Sequence, residues 1–221
     1  MIIHLLLVAH VLVLGYWLGA ELVINRTFRH VTGATATPFA ERDRLLSHVM
    51  DVDQHVRYAL VLQAALGTAL AMLLGYVPGG DAGAFVAGAL GVAWLVLVET
   101  VHRKRGSPAG AALARLDRAV RWLVILLLLA LGAGVAPGAP GLPAWLALKL
   151  ALFAGVVACG LWIRRELAAY FRLWGTLGRE GSSPALEAAL GRACWRATAV
   201  LAGLWLLIAA IVALSVTSSL W

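Results

Sequence analysis

Of the 221 residues, 62% are hydrophobic and only 13% are charged, with a formal balance of +7. No soluble domain of this length hides so much apolar surface, so lipid is expected to be the solvent. The basic excess then acts as a topology signal and gives no indication of nucleic-acid binding.

Six stretches approach the roughly 20 residues that cross ~30 Å of hydrocarbon: residues 2–24, 58–77, 84–101, 119–136, 142–163 and 195–216. The first lacks a basic N-terminal region, holds Glu21 and is too long for a secretory leader, so it is read as a span. The expected fold is an all-α polytopic membrane bundle, one transmembrane domain of three helical hairpins at about 1–77, 83–136 and 142–216. Of the 18 Lys and Arg, only Lys149 lies away from the three long connections, which run between Arg26 and Arg57, Arg103 and Arg121, and Arg164 and Arg196. The connections at 78–83 and 137–143 hold no basic residue. The positive-inside rule places both termini outside and the three basic loops in the cytoplasm. Arg far outnumbers Lys, which suggests a GC-rich bacterial genome and hence the inner (cytoplasmic) membrane.

Each basic loop contains a hydroxyl residue followed by Pro: Thr37-Pro38, Ser107-Pro108 and Ser183-Pro184. The hydroxyl caps free N–H groups and Pro fits the first helical position, so each ascending helix is predicted to begin before it meets lipid. After the first such start, Phe39, Leu45, Leu46, Val49 and Met50 form the apolar side of an amphipathic lead-in. Two helix starts are alike: VDQHVRY from Val52 matches LDRAVRW from Leu116. Trp17 precedes Glu21 by four, Trp94 precedes Glu99 by five and Trp162 precedes Glu166 by four. These echoes suggest an internal repeat of hairpins. Its scaffold reading pairs Glu21 with Arg57 and Glu99 with Arg121, because an unpaired carboxylate at the inner end of a span is costly.

Three imidazoles fall outside the repeat. His55 aligns with Ala119, His102 with Ile24 or Asn25, and His10 with Ala87. On the second helix His48, Asp51 and His55 share one arc of about 60° at 100° per residue. On the third, Glu99 and His102 form an E-x-x-H pair, a spacing that lets both side chains reach one metal. Glu21 lies at the same inner depth on the first helix. Together Glu21, His48, Asp51, His55, Glu99 and His102 make a candidate site for a transition metal such as Fe, Cu or Zn. Alternatively His55 and His102 hold a haem from opposite sides, with Arg57, Arg103 or Arg105 on the propionates. The bland alternative leaves His48 and His102 solvated among headgroups. The thiols of Cys159 and Cys194, with no CxxC, are read as packed and reduced.

His10 lies within the first span. With Trp17 and Glu21 it forms one stripe, offset by about −20° and +20°, as expected of a face lining a bundle interior. That makes His10 an axial haem ligand, a step in a proton or metal path, or a His bonded to a neighbouring carbonyl or hydroxyl. Gln63 and Lys149 are further polar groups inside spans, and Lys149 can snorkel to the outer boundary.

The first span, AHVLVLGYWLGAELVINR with His10, Trp17 and Arg26, resembles the opening helix of HemJ-type protoporphyrinogen oxidases and CopD-type copper-resistance membrane proteins. The segments ERDRLL and YALVLQAALG look like that group's second element, and LPAWLALKLALF is similar to its Lys-bearing helix. The first four spans also resemble a family of small bacterial integral membrane proteins with a His-containing first helix. The resemblance implies a haem b or porphyrin environment at His10 and a small hydrophobic or tetrapyrrole substrate. Cys159 stands where the oxidases carry a His ten residues after the Lys, and spans three and four have no counterpart there. The expected function is a membrane oxidoreductase with haem or a transition metal. A copper-type permease or accessory protein and a non-catalytic assembly subunit are the alternatives. A permease for Cu(I) would want a Met-rich track, and the chain has three Met. Gly15 and Gly19 have the spacing of a helix contact that permits a homo-oligomer.

Overall fold

The computed structural model describes residues 1–135 and 141–218, and every element within them is helical. In order these are α1 (Ile2–Gly33), α2 (Phe39–Leu73), α3 (Gly80–Arg103), α4 (Pro108–Gly132), α5 (Ala144–Glu180) and α6 (Pro184–Ser218). All but α4 are long and apolar enough to cross a bilayer. α4 differs because Arg115, Asp117, Arg118 and Arg121 fall inside it. Its uninterrupted apolar run, Trp122 to Gly132, is about 16 Å long at 1.5 Å per residue. The end of the expected fourth span, and most of the connection at 137–143, lie outside the described residues.

The outward faces carry large apolar side chains in the open, among them Leu5, Leu12, Phe85, Leu90, Leu126 and Leu206. Such continuous apolar exterior is what hydrocarbon covers, and the chain is a multi-pass membrane protein.

The three hydroxyl-Pro pairs do mark helix starts. Ser107 caps α4, its Oγ accepting from the Gly110 N–H at 3.0 Å, and the Ser183 Oγ accepts from the Leu186 N–H at 3.3 Å. Thr37 does not cap α2. That helix begins one residue later, with Pro38 at the cap position and no side-chain bond.

At the basic end, α1 and α5 continue well past their apolar runs, to Gly33 and Glu180. There Phe28 and Val31 of α1, Leu46 and Val49 of α2, Tyr170, Trp174 and Leu177 of α5, and Leu190 and Cys194 of α6 form a buried core. The lead-in of α2 is therefore amphipathic as expected, with its apolar side in this core and Phe39 against the Trp174 ring of α5. A second core lies deeper, around Trp17, Leu60, Ile125, Val156, Val157 and Leu204.

Consecutive helices pack on one another, and α1 also packs on α6. α3 lies more extensively against α2 than against α4. The reason is visible at Gly91, where an added Cβ would stand 2.5 Å from the Ala65 Cβ. Two small residues let the α2 and α3 backbones approach closely.

Candidate functional site

Carboxylates inside the bundle are met mainly by indoles. Glu21, 6% exposed, accepts one hydrogen bond from the Trp17 Nε1–H at 2.7 Å, a turn earlier on α1, and another from the Trp205 Nε1–H of α6 at 2.8 Å. An indole is a donor with an apolar body, so it can satisfy a carboxylate oxygen without bringing a second charge into the bundle. Glu21 borders a cavity of about 70 Å³ between α1, α2, α5 and α6, lined also by Asn25, Asp53, Ile163 and Thr198. The Thr198 Oγ1–H donates to the Asn25 Oδ1 there at 3.0 Å.

The second buried carboxylate is Asp117 of α4, 1% exposed. Its Oδ1 accepts from the Trp94 Nε1–H of α3 at 2.9 Å. Its Oδ2 accepts from the Arg121 Nε–H at 3.1 Å and from Arg164 Nη1 of α5 at 2.7 Å. The Arg121 guanidinium lies over the Trp94 ring, 5.5 Å from its centre. On α2 the corresponding pair is Arg57 with Asp53, at 2.6 Å. The two matching motifs thus share one physical content, an Asp followed four residues later by the Arg it binds.

That arrangement corrects the expected scaffold pairs. Arg57 and Arg121 bind the Asp one turn back on their own helices. Glu21 takes two indoles, and Glu99 takes the Tyr58 hydroxyl and Arg103. The Trp–Glu echoes divide likewise. Trp17–Glu21 and Trp162–Glu166, at spacing four, are bonded. Trp94, five before Glu99, is turned about 140° from it on the helix and reaches Asp117 instead.

The proposed metal-site residues lie on three helices, α1, α2 and α3. His48, Asp51 and His55 do share one face of α2, and all three are exposed. The opposite side of that helix is turned inward by Arg42, Leu46 and Val49. The His55 ring meets the edges of Tyr16 and Tyr58, at 6.2 and 5.9 Å between centres. His102 Nδ1 lies 3.0 Å from Arg105 Nη2. Among the described residues, no three His, Cys, Asp or Glu side chains are grouped to hold a metal ion.

His10 is set differently. It is half-buried, and its Nδ1 is sealed without a hydrogen-bond partner. The ring lies against α2, where an added Cβ at Gly67 would come within 3.4 Å of the His10 Cε1. Gln63 donates its Nε2–H to the His10 carbonyl at 2.8 Å, and Lys149 of α5 lies within electrostatic range of the ring. The interior stripe of His10, Trp17 and Glu21 is therefore present, with Trp17 and Glu21 fully inside it.

Two charged residues lie inside the fold without a local signal of their burial. Arg42, 2% exposed, donates to the Val31 and Thr32 carbonyls and forks onto Glu187 at 2.8 and 3.0 Å, with its guanidinium over Trp174. Asp117 is the other: its pair with Arg121 is local, but its burial is set by Trp94 and Arg164 on other helices. Cys159 and Cys194 are unpaired thiols, half-buried and buried.

What the fold and these sites define is a multi-pass helical membrane protein with a charged layer inside the bundle. No protein-family model, curated protein or solved structure matches the chain.

Proposed function

We propose that the chain is a six-span protein of the bacterial inner membrane, three hairpins with both termini periplasmic, that carries a haem b on His10 in a redox role. The span assignment of α4 is supported by the direction of its charges. Asp117 and Arg121 are buried, while Leu123, Leu126, Leu127 and Leu129 are exposed on the other side, as a helix crossing lipid would arrange them. The orientation rests on the three basic connections.

The observation that carries the cofactor reading is the sealed, partnerless Nδ1 of His10 on a stripe facing the interior. A buried imidazole nitrogen left unbonded is costly, and such groups ask for a partner outside the chain. The residues present fit a haem better than a bare metal ion. Haem iron needs one or two axial side chains, whereas a non-haem site needs three or four gathered donors. His10 would hold the haem iron, Gly67 leaves room for the His10 ring against α2, and Lys149 would offer a cation to an acidic substituent of the macrocycle. When bound, the haem supplies one-electron chemistry. The same reading agrees with the HemJ- and CopD-like first helix and admits a hydrophobic or tetrapyrrole substrate. The test is the visible spectrum and metal content of the purified full chain, compared with His10→Ala.

A further inference from the structure

The layer around Asp117 brings three guanidiniums together. Arg121 and Arg164 share Asp117, and Arg57, bound to Asp53, lies within electrostatic range of both. Three guanidiniums therefore gather around Asp117 and Asp53, while both oxygens of Glu21, near Asp53, are taken by Trp17 and Trp205. Within this cluster Arg121 is 2% exposed and its Nη2 is buried with no hydrogen-bond partner. A sealed, charged donor without an acceptor marks a missing oxygen. Arg57 and Arg164 keep part of their side chains exposed, at 19% and 28%, so the cluster is closed at Arg121 and accessible beside it.

Depth identifies the oxygen. Arg57 stands one residue before the apolar run at 58–77, Arg164 one residue after the run at 142–163, and Arg121 near the start of the run at 119–136. The three guanidiniums come from one boundary of the apolar layer, where the phosphates of a bilayer lie.

We propose that Arg57, Arg121 and Arg164 form a binding site for the phosphodiester of an acidic phospholipid. A phosphodiester carries a negative charge and two free oxygens that suit the planar Arg fork and the unpartnered Arg121 Nη2. An acidic lipid brings no cation of its own to compete with the cluster. The proposal rests on the membrane placement of the chain and is independent of the haem at His10.

The test is native mass spectrometry of the detergent-purified full chain after delipidation, titrated with phosphatidylglycerol, with diacylglycerol or with inorganic phosphate. Saturable retention of one phosphatidylglycerol per chain is expected, with none of diacylglycerol. Loss of one charge-assisted contact in Arg164→Gln should weaken retention about tenfold, while Arg165→Gln, an exposed neighbour, leaves it unchanged. Arg57→Gln provides a second reading should Arg164→Gln fail to fold, as judged by circular dichroism and gel filtration. Equal retention in the folded Arg164 or Arg57 variants and in Arg165→Gln would overturn the proposal. So would saturable uptake of inorganic phosphate with no lipid retained.

Discussion

Trp205, near the middle of the last helix, donates its indole N–H to Glu21 on the first at 2.8 Å. With the Thr198–Asn25 bond it ties the last helix to the first, and it completes the solvation of a carboxylate that Trp17 satisfies only on its other oxygen. Trp205→Phe keeps the apolar bulk and leaves that oxygen buried and bare. It should cost about 1–3 kcal/mol in thermal or denaturant unfolding in detergent. Trp162→Phe removes the analogous bond to Glu166 from an indole that is 59% exposed, and should change stability by no more than about 0.5 kcal/mol.

Asp117 is the single counter-charge that Arg121 and Arg164 both contact. Asp117→Ala strands the Arg121 guanidinium in the interior and is expected to destabilise by about 3–5 kcal/mol. Replacing both members, as Asp117→Leu with Arg121→Met, should recover much of that loss, because Arg164 can turn its partly exposed head to the boundary. A double-mutant cycle in detergent measures it, and additivity of the two single changes would contradict the burial of the pair.

How much of this was legible follows the range of each interaction. The Asp53–Arg57 and Asp117–Arg121 pairs are local, at i and i+4, and their similarity is visible in VDQHVRY and LDRAVRW. Helical periodicity also places His48, Asp51 and His55 on one face. It says which residues travel together, not which face turns inward, and Arg42, Leu46 and Val49 occupy the inward side. Glu21 was legible as interior, whereas its partner Trp205 lies 184 positions away and depends on how α1 and α6 are rotated. The basic-end core was missed for a different reason. Tyr170, Trp174 and Leu177 recur at helical spacing, but among Arg164, Arg172 and Arg179 that stretch reads as a charged loop.

Beyond the membrane-crossing segments, Arg42 donates two hydrogen bonds to Glu187 and holds its carboxyl below the usual range. A depressed carboxyl stabilises the fold above the unfolded value of about 4.3 and loses that contribution as pH falls through the folded value. Wild type should therefore exceed Glu187→Gln in Tm by a constant margin from neutral pH down to about pH 5. The margin should shrink as the pH drops below about 4. A margin that stays constant into acid would show that the Arg42 fork gains nothing from the charge.

Topology yields to reporter fusions. A periplasm-dependent phosphatase fused after residue 218 should be active, and a cytoplasm-dependent fluorescent protein at the same point should be dark. Insertions beside Gly106 and Gly181, in the basic connections, should behave oppositely. A bright fluorescent protein at the C-terminus would contradict the six-span reading, since five crossings from a periplasmic start end in the cytoplasm.

The central claim, a haem on His10, is tested most directly by the absorption spectrum of the purified full chain with iron analysis of the same sample. The expected result is a Soret band with about one iron per chain. His10→Ala should lose the band while folding normally, and His48→Ala, His55→Ala and His102→Ala should retain it, since those imidazoles lie outside the interior stripe. A folded preparation without colour or iron would contradict the claim, as would a Soret band that survives His10→Ala.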